Sequence, residues 1–419
     1  MKFSRRQYIR TGLAGSAGSA LLGAGCTSTE HMESSVDYAE LDRVLTQPVL
    51  RRELFPDPVI MDRLELLRSG DNFLCRVISR DGAEGLSVSN NAQMRSLYPI
   101  FNNRLQPFFP GRDARDWEQL LDEVYVYDSN YKLQNLALWV PLATIEFAVL
   151  DMLGKIAGKP IGELIGTVIH PEIAVYQANN HRGKTAEESL ELIRQNVVET
   201  GARALKFKVG GRMSRNADFP PGRTEKLIPM VRQAFGADMV IYADSNGSYD
   251  TQEAIRIGRM MEEYRYDFFE EPVPFDWYEE TREVSRNLTV PVAGGEQEPS
   301  IHNFRWLIGH GALDVVQPDI FYFGGMIRSM KVARMAATMG IPCTPHISGS
   351  GLGYLYMMHF VSAVPNAGPF HEFKGFNREI PLECPTSPLT SENGVVRVPS
   401  GPGLGVDFDP SFIQRHQPV

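Results

Sequence analysis

The chain is poor in cysteine: 4 among 419 residues, at positions 26, 75, 343 and 384. Their spacing matches no zinc or redox motif, and so few thiols exclude a disulfide scaffold. Cations are in the minority, with 42 Lys and Arg against 51 Asp and Glu and a formal charge of −9 at pH 7. Nucleic acid is a polyanion that needs a basic surface, so no nucleic-acid partner is expected. Past residue 26 no run approaches 18 continuous apolar residues, the length expected of a membrane-spanning helix. What is present is 43% hydrophobic and 22% charged residues, with 22 Phe and 15 Tyr, the composition of a globular protein with ample core. The length suits two domains, or one large barrel with an appendage.

The first 26 residues read as a targeting segment outside the fold. Arg5 and Arg6 precede a small, mildly apolar stretch from Thr11 to Gly25. The string SRRQYIR resembles the twin-arginine export signal, with Tyr8 and Ile9 in its bulky apolar positions, and the resemblance implies export of folded protein to the periplasm. Cys26, after Leu22, Gly23, Ala24 and Gly25, resembles a lipoprotein box, although Leu stands four places before the Cys instead of three. A lipid anchor at Cys26 and a free periplasmic product are therefore both open. Residues 1–25 carry Lys2, Arg5, Arg6 and Arg10 and no acid, so their removal takes the formal charge from −9 to −13. Residues 27–58 are polar and dotted with proline, with a helical pattern from Tyr38 to Leu45, and read as an N-terminal arm.

Residues 59–165 read as an α+β domain. Its start gives two strands, IMDRLELL and FLCRVISRDGAEGLSVS, broken at RSGDN (68–72), with Gly82 and Gly85 marking the next turn. From 94 to 165 the pattern is helical. There Ile145, Val149, Met152, Leu153 and Ile156 form an apolar stripe that Gly158 and Pro160 stop. From 170 to 378 short apolar strands alternate with amphipathic helices, the strands predicted at 173–178, 204–209, 240–244, 267–271, 290–296, 314–319, 341–346 and 368–373. Eight such units closing on themselves make a TIM-type barrel. The alternative, an open doubly wound sheet, lacks the glycine-rich turn that would follow its first strand. Residues 379–419 are rich in Pro and Gly and are expected to pack back on the first domain.

Barrel enzymes carry their chemistry at the C-terminal ends of the strands. Those ends hold Lys206 and Lys208, Asp244, Glu270, Glu296, Asp319, His346 and Glu372. Lys206 and Lys208 lie two apart on one strand and share a face. Asp244, Glu270 and Glu296 end three successive strands. Three carboxylates converging at a barrel mouth repel unless a cation joins them, and an all-oxygen set suits Mg2+. Asp319 beside His346 fixes the imidazole tautomer and raises its basicity.

These residues resemble the enolase superfamily, and within it the mandelate racemase group. The resemblance runs over about residues 60–400 and rests on Lys206-Phe207-Lys208, Asp244 with Asn246, FFEEPV with Glu270, GGE with Glu296, QPD with Asp319, and PH with His346. It implies a modified (β/α)7β barrel under an α+β capping domain, one Mg2+ on Asp244, Glu270 and Glu296, and a homo-oligomer. It further implies Lys208 as a base on the proton α to a carboxylate, Lys206 and Glu372 on the carboxylate itself, and His346 with Asp319 on the opposite face. A small anionic carboxylate is then the substrate, dehydrated as a sugar acid to a 2-keto-3-deoxy acid. The alternatives are racemisation or epimerisation of a 2-hydroxy acid, cycloisomerisation, and an exported sugar-acid-binding lipoprotein without catalysis. Asn180, His181 and Asn246 are expected to bind substrate. The break at 68–72 replaces a lid loop that is longer in the family, so the site is expected to be more open, or to be closed by the N-terminal arm, by the loop near Asn90 and Asn91, or by a neighbouring subunit.

Overall fold

The computed structural model describes residues 36–348, 351–373 and 389–419. The segment read as an export signal, Cys26, Cys384 and the first part of the 379–419 tail lie outside the described residues. The first described element, helix α1 (Ala39–Leu45), buries Leu41 and Val44. It is tied to the outside of the barrel, where Asp42 accepts from Arg305 and the Arg305 guanidinium lies 3.6 Å from the Tyr38 ring centre.

The capping domain opens with three antiparallel strands, one more than the sequence reading gave: β1 (Met61–Ser69), β2 (Asn72–Ser79) and β3 (Glu84–Val88). The break at 68–72 is only a tight hairpin turn, with Ser69 paired to Asn72. Gly85 does not mark a turn. It lies inside β3, where any Cβ would collide with Ala148 and Met152 of the long helix packed on the sheet. After α2 (Asn91–Ile100) and α3 (Trp117–Val126) comes that helix, α4 (Leu136–Ala157), capped by Gly158 in a left-handed conformation. Of the expected stripe, Ile145, Val149, Met152 and Leu153 are buried, but Ile156 is 43% exposed. By length and composition α4 could cross a membrane; 89% of its apolar window is buried inside the protein.

The barrel is a ring of parallel strands. In order they are β4 (Glu172–Asn179), β5 (Ala204–Lys208), β6 (Val240–Asp244), β7 (Phe268–Glu270), β8 (Val292–Gly294) and β9 (Val315–Val316), and the eighth, β10 (His371–Phe373), pairs back to β4. The fold is thus α/β, a TIM-type barrel with an α+β cap. The seventh strand expected at 341–346 is reduced to three isolated bridges, Val316 to Cys343, Asp319 to His346 and Cys343 to Ala367. Pro342 and Pro345 have no N–H for the ladder, which explains the reduction. The tail packs on both units: β12 (Val395–Arg397) pairs with β4, Leu404 N donates to Asp151 in α4, and β13 (Gln417–Pro418) joins the cap sheet beside β1.

Cap and barrel are also joined by Glu146, fully buried in α4. Its carboxylate accepts from Trp117 Nε1 at 2.8 Å and from Ile327 N at 3.1 Å, at the start of α5 (Met326–Thr338). Gly325, just before that helix, leaves no room for a Cβ beside the carboxylate. Burial pushes the Glu146 carboxyl up to about 7. Because the folded value lies above the unfolded one, the neutral acid contributes stability fully present below about pH 4 and lost as pH rises through about 7. Glu146→Gln is therefore expected to flatten the alkaline fall of Tm. Glu146→Ala, which strands two buried donors, should cost about 3 kcal/mol in urea unfolding.

Candidate active site

Parallel register sets the site. Lys208 is level with Asp244, and Asp244 with Glu270, at the ends of β5, β6 and β7. Glu296 follows β8, Asp319 follows β9, His346 occupies the seventh position, and Glu372 lies in β10. Lys206, Asp244, Glu270, Asp319 and Glu372 are all at most 2% exposed, and Glu296 is 6% exposed. Lys206, Glu296 and Glu372 line a cleft of about 450 Å3, while Asp244, Glu270 and Asp319 touch its lining residues without lining it themselves. Its wall holds Lys206, Lys208, Glu296, His346 and Glu372, together with Asn179, Asn180, Arg182, Arg212, Gln297, Tyr322 and Ser348.

One oxygen from each of Asp244, Glu270 and Glu296 lies within 4.8 Å of the others. Lys206 Nζ sits 2.9 and 2.8 Å from the two Glu270 oxygens and 3.9 Å from Asp244, while Lys208 Nζ contacts Asp244. Two lysines thus face three carboxylates, and the mismatch shows in their protonation. Burial works against the Asp244 carboxylate, but Lys208 and Lys206 hold it far below the usual range. Glu270 is pushed up to about 7 by burial and by the Asp244 and Glu296 charges, against the pull of Lys206. Lys206, despite burial, is held an ammonium by Glu270, Glu372 and Asp244. Glu296 Oε2 is buried and accepts no hydrogen bond. Three hard oxygen donors, one of them orphaned, fit a divalent cation.

On the far wall His346 Nδ1 lies 2.7 Å from Asp319 Oδ2, which leaves Nε2 toward the cleft, 3.3 Å from Glu296 and 3.6 Å from Glu372. Burial alone would lower the imidazole, but Glu296, Glu372 and the Asp319 hydrogen bond together raise it to about 9. Lys208, on the second strand, and His346, at the seventh position, therefore face one space from two walls.

The residues expected to bind substrate are placed less uniformly. Asn180 lines the cleft. His181 does not; its backbone oxygen is taken by Arg223 and Ser189, and Arg182 lines the wall in its place. Asn246 does not line the cleft either. Its side chain is spent on Asp244, Glu271 and Arg182. Tyr322 also lines the cleft. Gln317 and Ser348 were missed, Gln317 donating to Glu270 at 2.9 Å and Ser348 to Asp319 at 3.1 Å. The signal was available, since each lies two residues from a singled-out group and so can share its face of an extended chain.

A barrel mouth with a carboxylate triad between a lysine wall and a histidine–aspartate wall defines a class of metal-assisted enzyme acting on carbon acids. The chain belongs to the Enolase C-terminal domain-like family, whose model matches residues 188–412. It is 28% identical to an arabinonate dehydratase of Saccharolobus solfataricus over 75% of this chain and 81% of that one. It is also 28% identical to a D-galactarolactone cycloisomerase of Agrobacterium fabrum, over 71% of this chain and 79% of that one. Among solved structures it resembles a magnesium complex of a mandelate racemase/muconate lactonizing protein from Paracoccus denitrificans, with TM-score 0.77, 26% identity, and 86% and 99% of the two chains covered. A 3,6-anhydro-D-galactonate cycloisomerase from Zobellia galactanivorans gives TM-score 0.70 and 27% identity, covering 85% and 99%.

Proposed function

We propose that the protein removes the proton α to the carboxylate of a sugar acid and expels the β-hydroxyl, giving water and a 2-keto-3-deoxy acid. The observation that carries this reading is the placing of Lys208 and of the Asp319-held His346 on separate walls of one cleft, around three converging carboxylates. Mg2+ is the ion proposed for Asp244, Glu270 and Glu296, where it would supply positive charge opposite the substrate carboxylate as a second negative charge builds there.

The chain's own residues carry the proton movements. Lys206 faces the substrate carboxylate as an ammonium, and Glu372, taking up a proton when the substrate binds, donates it in a hydrogen bond to the other carboxylate oxygen. Lys208, as free amine, takes the α-proton, and the C–H electron pair becomes the new C=C bond. The β-C–O bond breaks with its electrons on oxygen, which receives the Nε2 proton of His346 and leaves as water. The enol then tautomerises to the ketone. An imidazole raised to about 9 carries that proton at neutral pH, which favours His346 as an acid over His346 as a base. The sugar-acid dehydratases among the relatives point the same way.

The test is a panel of mono- and dicarboxylic sugar acids with Mg2+, scored for 2-keto acid. Formation of an α-deuterated epimer in D2O without 2-keto acid would replace dehydration by epimerisation. Binding without either product would leave a sugar-acid-binding protein. We also propose export by the twin-arginine route to the periplasm, supported by SRRQYIR with Arg5 and Arg6. Arg5→Lys with Arg6→Lys should keep the protein in the cytoplasmic fraction, and unchanged export would refute that route.

A further inference from the structure

Among the described residues the cap supplies no side chain to the cleft wall. Two of its side chains nevertheless grip barrel residues that do form the wall. Asn90 Nδ2 donates to Ser348 Oγ at 3.0 Å, and Gln93 Nε2 to Tyr322 Oη at 3.5 Å. Both come from the start of α2, whose approach is fixed by a further contact nearby, Val88 N donating to Tyr356 Oη at 2.7 Å.

The direction of this chain of hydrogen bonds is set by its ends. Asn90 is the N-cap of α2 and its Oδ1 accepts from Gln93 N at 3.3 Å, so its amide nitrogen must face Ser348. Ser348 has one proton, which goes to Asp319 Oδ1 at 3.1 Å. The same oxygen accepts from Phe321 N and Tyr322 N, each at 2.8 Å. Three donors on Oδ1 fix the rotation of the carboxylate and leave Oδ2 for His346 Nδ1. Among the described residues the opposite wall has no such link: Lys208 meets Asp244 through Nζ and Arg223 through its carbonyl, both in the barrel.

We infer that Asn90 is a positioning residue through which the cap, when seated on the barrel, holds Ser348, Asp319 and hence His346 in place while leaving the Lys208 wall alone. The cap thereby acts on the acid that completes the reaction. This inference rests on the dehydration proposed above.

Asn90→Asp separates the possibilities. Asp caps a helix as well as Asn, so the seat of α2 is kept. With two acceptor oxygens, however, it draws the Ser348 proton away from Asp319. In Mg2+ and D2O with the sugar-acid panel, total α-proton abstraction, read as 2-keto acid plus α-deuterated recovered substrate, should stay near wild type. The share that becomes 2-keto acid should fall about 10-fold to 100-fold. Ser348→Ala should reproduce the split, with Tm showing both proteins folded. An unchanged share, or a parallel fall in abstraction and product, would overturn the inference. Wild-type protein that neither exchanges nor dehydrates any acid would instead refute the dehydration. The His346 Nδ1 proton resonance, assigned with His346→Asn, then decides the role of Asn90. Solvent exchange of that proton should be faster in Asn90→Asp than in wild type, and equal rates would overturn the inference.

Discussion

Lys208→Ala is expected to abolish α-proton abstraction, lowering kcat by at least about 10²- to 10⁴-fold, with neither 2-keto acid nor deuterated substrate formed in D2O. His346→Asn should behave differently. Lys208 would still take the proton, so recovered substrate should gain deuterium at the α carbon while 2-keto acid is lost. Loss of exchange in both variants would mean that the two walls do not act on separate steps. The alanine variant also tests the charge balance. Lys208 and Lys206 are what hold the buried Asp244 carboxylate far below its usual range. Removing one without a divalent cation leaves a buried charge poorly matched, a loss of about 3 kcal/mol or more. Mg2+ should restore much of that loss, so the Tm of Lys208→Ala should depend on Mg2+ more steeply than the wild-type Tm does.

The groups proposed to carry the chemistry were legible because a barrel converts spacing into position. Each polar group closing an apolar strand had to face the mouth, and Lys206, Lys208, Asp244, Glu270, Glu296, Asp319, His346 and Glu372 do converge there. What the sequence could not tell was which polar groups the protein spends on itself. Asn246 carries the same two-residue offset from Asp244 that Ser348 has from His346. Yet the backbone turns at Asn246, with φ at 46°, and its amide is consumed by Asp244, Glu271 and Arg182. Local spacing cannot register that turn, nor that Arg182 would displace His181 from the wall. Gly85 was misread for a related reason: a glycine demanded by a helix pressing on a strand looks, in sequence, like a glycine demanded by a turn. The bond from Asn90 to Ser348 joins residues far apart in the chain and was out of reach of any local pattern.

Removing divalent cation with EDTA is expected to stop turnover while leaving the barrel folded, because the chain carries its own substitute charges. Lys206 and Lys208 already close on Glu270 and Asp244, so two of the three carboxylates keep a cation beside them. Glu296 instead has the His346 imidazole at 3.3 Å and the neutral Gln297 amide, which donates to its Oε1 at 3.1 Å, while its Oε2 accepts no hydrogen bond. Glu296 should therefore be the acid whose loss the protein tolerates best and the ion tolerates worst. Glu296→Gln is expected to weaken Mg2+ binding by about 3 kcal/mol, roughly 10²-fold by calorimetry, with Tm in EDTA unchanged or raised. Mg2+ binding should also be coupled to protons. Glu270, raised to about 7, must lose its proton to serve as a ligand, so Mg2+ should release protons and bind more weakly as pH falls through that value. Proton release would appear as a buffer-dependent binding enthalpy at neutral pH. Its absence, together with a pH-independent affinity, would mean that Glu270 is already ionised beside Lys206 and that the excess charge of the triad rests elsewhere.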